Sequence, residues 1–345
     1  MKIVVTARNG TRDFECEPGE KILHAGLRSG VELPYECATG TCGTCKARLT
    51  RGRTESAWPE APGRTYFKSE TDLLTCQSVA HEDCALEVGP LKTREPDTSP
   101  PRPFTGVVRG LQRLTHDVAA FDVDLDAPLD FAAGQFALLT VPGIAGARAY
   151  SMVNFDRGAE RLSFVVKKKP GGGVSEWLFG GDVDGARLGV LAPLGHATFH
   201  PDVRKHVLCI AGGSGIAGIM SILSRACDAE HFADFDGHVF FGVRTMRDGF
   251  FLGELDAFRA RHPERLAVTI ALSDEDVPDA LAAAYPSFRF ERGLVHAVAG
   301  ERMKGRYGDV RAWVAGPPPM VDASLRLLLR EARLSPADIR YDKFS

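Results

Sequence analysis

Residues 37–45, Cys37-Ala38-Thr39-Gly40-Thr41-Cys42-Gly43-Thr44-Cys45, place three cysteines in a C-x4-C-x2-C run, and Cys76 follows further on. That spacing is the plant-type ligand pattern for a 2Fe–2S cluster. Three thiols on one tight loop and a fourth brought in from afar can surround two irons. Gly40 and Gly43 let backbone amides turn toward the sulfurs without a Cβ in the way. A structural zinc knot usually shows two C-x2-C pairs, and here only Cys42 and Cys45 have that spacing. The expected metal ligands are therefore Cys37, Cys42, Cys45 and Cys76. A cluster on so long a chain implies that another part of the chain feeds it electrons.

The chain has 345 residues, enough for two or three domains, and its 44% hydrophobic and 25% charged residues fit an ordinary globular protein. A net charge of −3 without a long basic block argues against a nucleic-acid partner. No apolar stretch approaches the ~20 residues of a membrane span. The opening MKIVVTARNG lacks the apolar core of a signal peptide. Eight cysteines in such a chain point to reduced thiols and a cytoplasmic location. Cys16, Cys84, Cys209 and Cys227 are expected to be small buried hydrophobes without chemistry.

Composition and periodicity divide the chain. Residues 1–91 carry short alternating runs (KIVVTA, TRDFEC, KARLT) and one apolar-periodic helix through Ile22, Leu23, Ala25 and Leu27 that closes at Gly30. Strand, strand, helix, cluster loop, strand is the order of a β-grasp ferredoxin. Residues 92–103, KTREPDTSPPRP, read as a semi-rigid exposed linker. Over 104–202 the runs are short, β-branched and broken by Gly and Pro, which predicts an antiparallel β-barrel. Over 203–345 apolar strands (HVLCIA, HVFFG, LAVTIAL, VRAWVAG) alternate with helical patterns, which predicts an α/β doubly wound parallel sheet.

Several short motifs bear on ligand binding. Arg148-Ala149-Tyr150-Ser151, with Asn154 after it, offers a pyrophosphate partner, a ring to stack and a hydroxyl, though alone it matches many ordinary strands. Gly171-Gly172-Gly173-Val174-Ser175 opens a helical stretch; such a turn serves either as a flexible hairpin or as an anion site. Gly212-Gly213-Ser214-Gly215 lies between a strand and a helix, the context in which bare backbone approaches a dinucleotide phosphate. Gly316-Pro317-Pro318 follows another apolar strand and is expected to form a rigid loop at its C-terminal end.

In this order the motifs resemble the NADH-dependent, FAD-containing iron–sulfur reductases of bacterial multicomponent oxygenases, within the ferredoxin–NADP reductase superfamily. PYECATGTCGTCKARL, AWPEAPG and the tail YDKFS look most like the toluene and phenol monooxygenase type. The resemblance implies that Arg148, Ala149, Tyr150, Ser151, Asn154 and Lys167 hold FAD, with Ser151 near its reactive edge, and that Gly172, Gly173, Val174 and Ser175 cover its pyrophosphate. It implies that Gly212, Gly213, Ser214, Gly215 and Arg244 face the nicotinamide nucleotide and that Gly316, Pro317 and Pro318 border its nicotinamide end. Phe344 is expected to lie on the flavin ring, with Asp342 beside it in an acidic-x-aromatic ending. The family often has Cys where Ala315 stands, Pro where Gly218 stands, and Gly-Pro-Tyr-Gly where this chain reads Ala192-Pro193-Leu194-Gly195.

The implied activity is hydride transfer from NADH to FAD, then single electrons through the cluster to an oxygenase or hydroxylase component or an intermediary ferredoxin. NADPH is the less expected coenzyme, although Arg244 and Arg247 stand beside Asp248. A monomer is expected. Rival readings are a reductase for a haem-thiolate or sugar-deoxygenation partner, and a non-catalytic iron–sulfur sensor. Lys46, Arg48, Arg51 and Arg53, just past the cysteine loop, form either part of a docking face or a plain solvated one.

Overall fold

The computed structural model describes residues 1–94 and 98–344. Residues 95–97 of the expected linker and Ser345 of the tail lie outside the described residues.

The amino-terminal strands are β1 (Lys2–Ala7) and β2 (Gly10–Glu15), followed by helix α1 (Ile22–Arg28). After the cysteine loop come β3 (Lys46–Arg51), β4 (Thr54–Ser56), β5 (Asp72–Leu74), β6 (Ser78–Ala80) and β7 (Cys84–Val88). The main sheet runs β2-β1-β7-β3-β5, with β4 and β6 paired apart from it. Its helix buries Ile22, Leu23, Ala25 and Leu27. These are the positions that the apolar period marked. Lys92 and Arg94 bond back to this sheet's surroundings: Lys92 N–H donates to Glu32 O at 2.9 Å, and Arg94 Nε to the Glu32 carboxylate at 2.9 Å. The expected linker is thus partly fastened, and its last residues, Arg102 and Pro103, already belong to the next strand.

That strand is β8 (Arg102–Arg113), followed by β9 (Val118–Leu129), β10 (Phe136–Thr140), β11 (Arg148–Ser151) and β12 (Ala159–Lys167). Helix α2 (Gly173–Gly180) and strand β13 (Arg187–Leu194) complete a six-stranded sheet ordered β11-β10-β13-β8-β9-β12. β8–β9 and β9–β12 pair antiparallel, as expected for the barrel.

The remainder alternates: β14 (His206–Gly212), α3 (Ile216–Asp228), β15 (Gly237–Val243), α4 (Leu252–Arg261), β16 (Leu266–Leu272), α5 (Asp279–Ala284) and β17 (Arg289–Arg292). Then come α6 (Val295–Met303), β18 (Val310–Gly316), α7 (Pro318–Arg326) and β19 (Ile339–Lys343). All pairings in the sheet β17-β16-β15-β14-β18-β19 are parallel. Strand β14 explains why such a strand reads as one unbroken apolar run. Val207, Cys209 and Ala211 enter the core under α3, while Leu208 and Ile210 enter the core under α6 and α7. The chain order reverses direction between β15 and β18 on either side of β14, so ligands are expected at the carboxyl ends of these strands.

By internal contacts the chain forms two compact units: Met1–Phe104, Ala137–Ala149 and Gly189–Gly195, and Thr105–Phe136, Tyr150–Leu188 and His196–Ser345. Among the described residues no helix is long and apolar enough to cross a membrane.

Candidate functional site

Cys37, Cys42, Cys45 and Cys76 come together at one end of the β-grasp sheet. The loop turns through three left-handed residues, Ala38 (φ 54°), Gly40 (φ 90°) and Gly43 (φ 76°). The turn aims the N–H groups of Thr39 and Cys42 at Cys37 Sγ, each at 3.4 Å. Cys76 is brought in by β5: Thr75 donates to Cys45 O through both N (3.1 Å) and Oγ1 (3.2 Å), leaving Cys45 Sγ and Cys76 Sγ 3.2 Å apart. Cys45 and Cys76 are buried, while Cys37 and Cys42 are partly open. Hydrogen bonding from the Cys42 thiol outweighs burial and, with Thr39 and Thr41, holds the Cys37 thiol down to about 4. The Cys45 thiol is pushed up, first by its bond to Cys76 and then by burial. A set of four thiols with amides already turned toward sulfur fits an iron–sulfur cluster.

The glycines in this loop make room for specific neighbours. A Cβ on Gly40 would stand 2.9 Å from Gln77 Cγ, and one on Gly43 would stand 2.4 Å from the Tyr66 ring. Gln77 and Tyr66 carried no signal of their own in the sequence, although Gln77 directly follows a cysteine. Of the basic residues past the loop, Lys46 lies 3.7 Å and Arg48 3.8 Å from the buried Asp72 carboxylate, and Lys46 also donates to Tyr66 O. Those two brace the loop. The other four cysteines, Cys16, Cys84, Cys209 and Cys227, are buried, and burial raises each thiol, as expected of inert positions.

On β11, the Arg148 side chain folds onto its own loop, donating to Ala147 O at 3.0 Å. The Tyr150 ring meets Phe121 and Phe164 edge-on, with centroids 6.3 and 6.4 Å apart. Ser151 is buried, and its Oγ has no hydrogen-bond partner among the described residues. An orphaned buried hydroxyl beside an aromatic cluster fits the polar edge of a flavin ring. Asn154 does something different: its Nδ2 donates to Arg161 O (2.9 Å) and its Oδ1 accepts from Ser163 N (2.9 Å), so its amide clips β12. Ser175 Oγ accepts from Lys169 N at 3.1 Å and donates to Gly172 O at 3.0 Å, which locks the turn entering α2 at Gly173 and the buried Val174. Gly172 has no room for a side chain, because its Cβ would lie 2.7 Å from Ser175 Oγ.

A cavity of about 430 Å³ crosses the carboxyl ends of the parallel strands. Gly212, Gly213, Ser214, Lys167, Arg244 and Pro317 line it, together with Phe250, Leu294 and Met320, which the sequence had not singled out. Gly215, Gly316 and Pro318 are not among its lining residues. A Cβ on Gly215 would fall 2.2 Å from Ala315 O, and one on Gly316 (φ 149°) would fall 2.6 Å from Met320 Cε. Gly212 and Gly242 are register partners at the ends of β14 and β15, so two bare backbones face the cavity side by side. Such a cleft fits a dinucleotide. Gly-Pro-Pro does not remain a loop: Pro317 takes the extended cap position and Pro318 begins α7, where a fixed φ and a missing N–H suit a helix start.

At one rim of the cavity, Lys167 Nζ lies 3.0 Å from Asp117, and His116 Nε2 stands 3.7 Å from Asp117 and 3.8 Å from Asp248. Asp248 accepts from both Thr245 N and Oγ1 at 3.1 Å. Arg244 touches it only at 3.9 Å and stays largely exposed. The tail is ordered into β19, with Asp342 opposite Ala315, and Phe344 N–H donates to Gly316 O at 3.1 Å. That bond fixes the backbone of Phe344 beside the end of β18.

Comparison with known proteins agrees in order with these sites. The 2Fe-2S iron-sulfur cluster binding domain matches residues 5–81, the oxidoreductase FAD-binding domain 106–199 and the oxidoreductase NAD-binding domain 209–325. The chain is 33% identical to the ferredoxin–NAD(P)+ reductase CarAd of Metapseudomonas resinovorans, over 95% of this chain and 96% of that one. It is 32% identical to the ferredoxin–NAD+ reductase component of the alkene monooxygenase system of Xanthobacter autotrophicus, over 97% and 99% of the two chains. Among solved structures, the ferredoxin reductase in carbazole 1,9a-dioxygenase superposes with a TM-score of 0.82 at 31% identity, covering 100% of this chain and 99% of that one.

Proposed function

The chain belongs to the ferredoxin–NAD(P)+ reductases that carry an iron–sulfur, an FAD-binding and an NAD-binding domain, and from that premise we propose that it serves an oxygenase or hydroxylase component, directly or through an intermediary ferredoxin, with NADH as its donor. As a member of that family it is an oxidoreductase that draws on NAD(P)H, FAD and a 2Fe–2S cluster. When bound, these groups convert a two-electron hydride into single electrons at low potential.

The chain's own residues do the positioning. Cys37, Cys42, Cys45 and Cys76 hold the irons. The Ser151 hydroxyl would receive the polar edge of the flavin, Tyr150 would bound its ring, and the turn at Gly172–Ser175 would take its pyrophosphate. The bare backbone of Gly212–Gly215 receives the nicotinamide nucleotide's phosphates, and Pro317 bounds its far end. Phe344 would shield the flavin ring, with Asp342 alongside. The domains span 1–91, 104–202 and 203–345, joined by a linker over 92–103 whose last two residues open β8, and the protein acts as a monomer in the cytoplasm.

The observation that carries this reading is the convergence of four free thiols within a chain that also holds a glycine-walled cavity at its strand ends. Its test is Cys76→Ser. The variant should lose iron yet keep FAD and NADH-dependent reduction of a dye that accepts from flavin. Loss of both activities with FAD retained would refute the electron path. Steady-state kinetics decide the coenzyme: a higher specificity constant for NADPH would reject NADH as the donor.

A further inference from the structure

Lys21 stands immediately before α1, and its backbone bridges to Val79 in the segment that follows Cys76. The first turn of the helix is stitched to that segment, since Leu23 N–H donates to Thr75 O at 3.0 Å. Through this anchoring Lys21 Nζ reaches Gln77 Oε1 at 3.3 Å. The other end of the same amide, Gln77 Nε2, donates to Cys76 Sγ at 3.7 Å. Gln77 itself is buried and packed over Gly40 of the cysteine loop, so its orientation is fixed from both sides.

No carboxylate relieves this cation from its own helix turn. The adjacent Glu20 is engaged by Arg28 at 2.8 Å. His24, one turn along, stays neutral, because burial drives its pKa down to about 4. Burial disfavours the Lys21 charge, while Cys76 and then Cys45 act the other way. A half-buried ammonium is therefore held toward the sulfurs by a single polarised amide.

We propose that Lys21 is a positioning residue that sets the reduction potential of the cluster, its charge and its grip on Gln77 both favouring the reduced state. The inference rests on the reading of Cys37, Cys42, Cys45 and Cys76 as the iron ligands. One-electron reduction adds negative charge to a site already made of thiolates. A cation in low-dielectric surroundings lowers the energy of that added charge, as does an N–H directed at a ligand sulfur. The proposed role is electrostatic: the electron enters the cluster, and Lys21 forms and breaks no bond.

The test is a reductive titration of the full-length holoprotein, with the cluster followed by electron paramagnetic resonance and the flavin by absorbance. Lys21→Met should lower the cluster midpoint while the flavin midpoint and the iron content stay at wild-type values. Lys21→Arg should remain near wild type, and Gln77→Leu should lower the midpoint as well. The shift caused by Lys21→Met should shrink in the Gln77→Leu background. An unchanged cluster midpoint in iron-replete Lys21→Met would overturn the inference. Should that variant fail to hold iron, Lys21→Gln, which keeps a donor for Gln77, takes its place. Failure of both to hold iron would also overturn it, by making Lys21 a structural post. Wild-type protein without iron or a cluster signal would instead refute the ligand assignment, so the two failures are distinguishable.

Discussion

Replacing Ser151 with alanine tests the flavin site in two directions at once. Its Oγ is buried without a hydrogen-bond partner, while the side chain stands near Gly218, whose Cβ would lie 3.5 Å from Ser151 Cβ. A buried hydroxyl left unsatisfied costs about 1–3 kcal/mol, and removing it recovers that amount. Flavin-free Ser151→Ala should therefore be at least as stable as flavin-free wild type toward urea. Flavin binding should weaken, because the variant no longer exchanges an orphaned hydroxyl for a paired one. At about 1.4 kcal/mol per tenfold, a loss of about 1–3 kcal/mol corresponds to a dissociation constant roughly 5- to 150-fold higher. Fluorescence titration of flavin-stripped protein measures the affinity, and urea melts of the same samples measure the stability. Unchanged FAD affinity together with a less stable flavin-free variant would show that the hydroxyl is satisfied inside the protein, and the reasoning would fail.

His24 makes stability depend on pH. Burial drives its pKa from 6.5 down to about 4, so the unfolded chain binds a proton that the folded one refuses. Its contribution is complete above pH 6.5 and is lost as pH falls toward 4, up to about 3 kcal/mol over that window. Urea melts at pH 7 and pH 5 should show a smaller loss for His24→Gln than for wild type, and equal losses would contradict the assignment. Phe344→Ala should change the rate of flavin reduction by NADH and the flavin fluorescence while iron content stays constant. Stopped-flow traces and emission spectra matching wild type would remove Phe344 from the flavin.

What could be read from the sequence shares a physical form. The cysteine loop, Gly212–Gly215 and Gly171–Gly173 are local, and each sets backbone geometry through residues within one turn. The β14 run showed a strand buried on both faces because its composition leaves no polar alternation. Features invisible in the sequence depend on distant packing. Nothing near Gly43 announces Tyr66, and nothing in Thr115-His116-Asp117 announces that the His116 side chain meets Asp248. The bonds of the Asn154 amide to Arg161 O and Ser163 N, on a strand seven to nine residues away, are equally unannounced. Lys46 and Arg48 read as surface charge because their buried partner, Asp72, lies on another strand. Gly-Pro-Pro read as a loop because proline signals an interruption as readily as it signals the first turn of a helix.

This division bears on what varies among proteins that share the motifs. A motif glycine excludes nearly every substitution, as at Gly215, where any side chain would meet the Ala315 carbonyl oxygen at 2.2 Å. The charge around the cofactor sites obeys no such constraint. At the cavity rim, Asp117 meets Lys167 and Asp248 accepts from Thr245, while Arg244 stays largely exposed. At the cluster, the charge comes from Lys21, which lies outside the cysteine pattern altogether. Backbone geometry thus shapes the cofactor sites, whereas side chains from other elements set the charge around them. Two chains with the same motifs can therefore bind the same groups and still differ in the driving force for electron transfer.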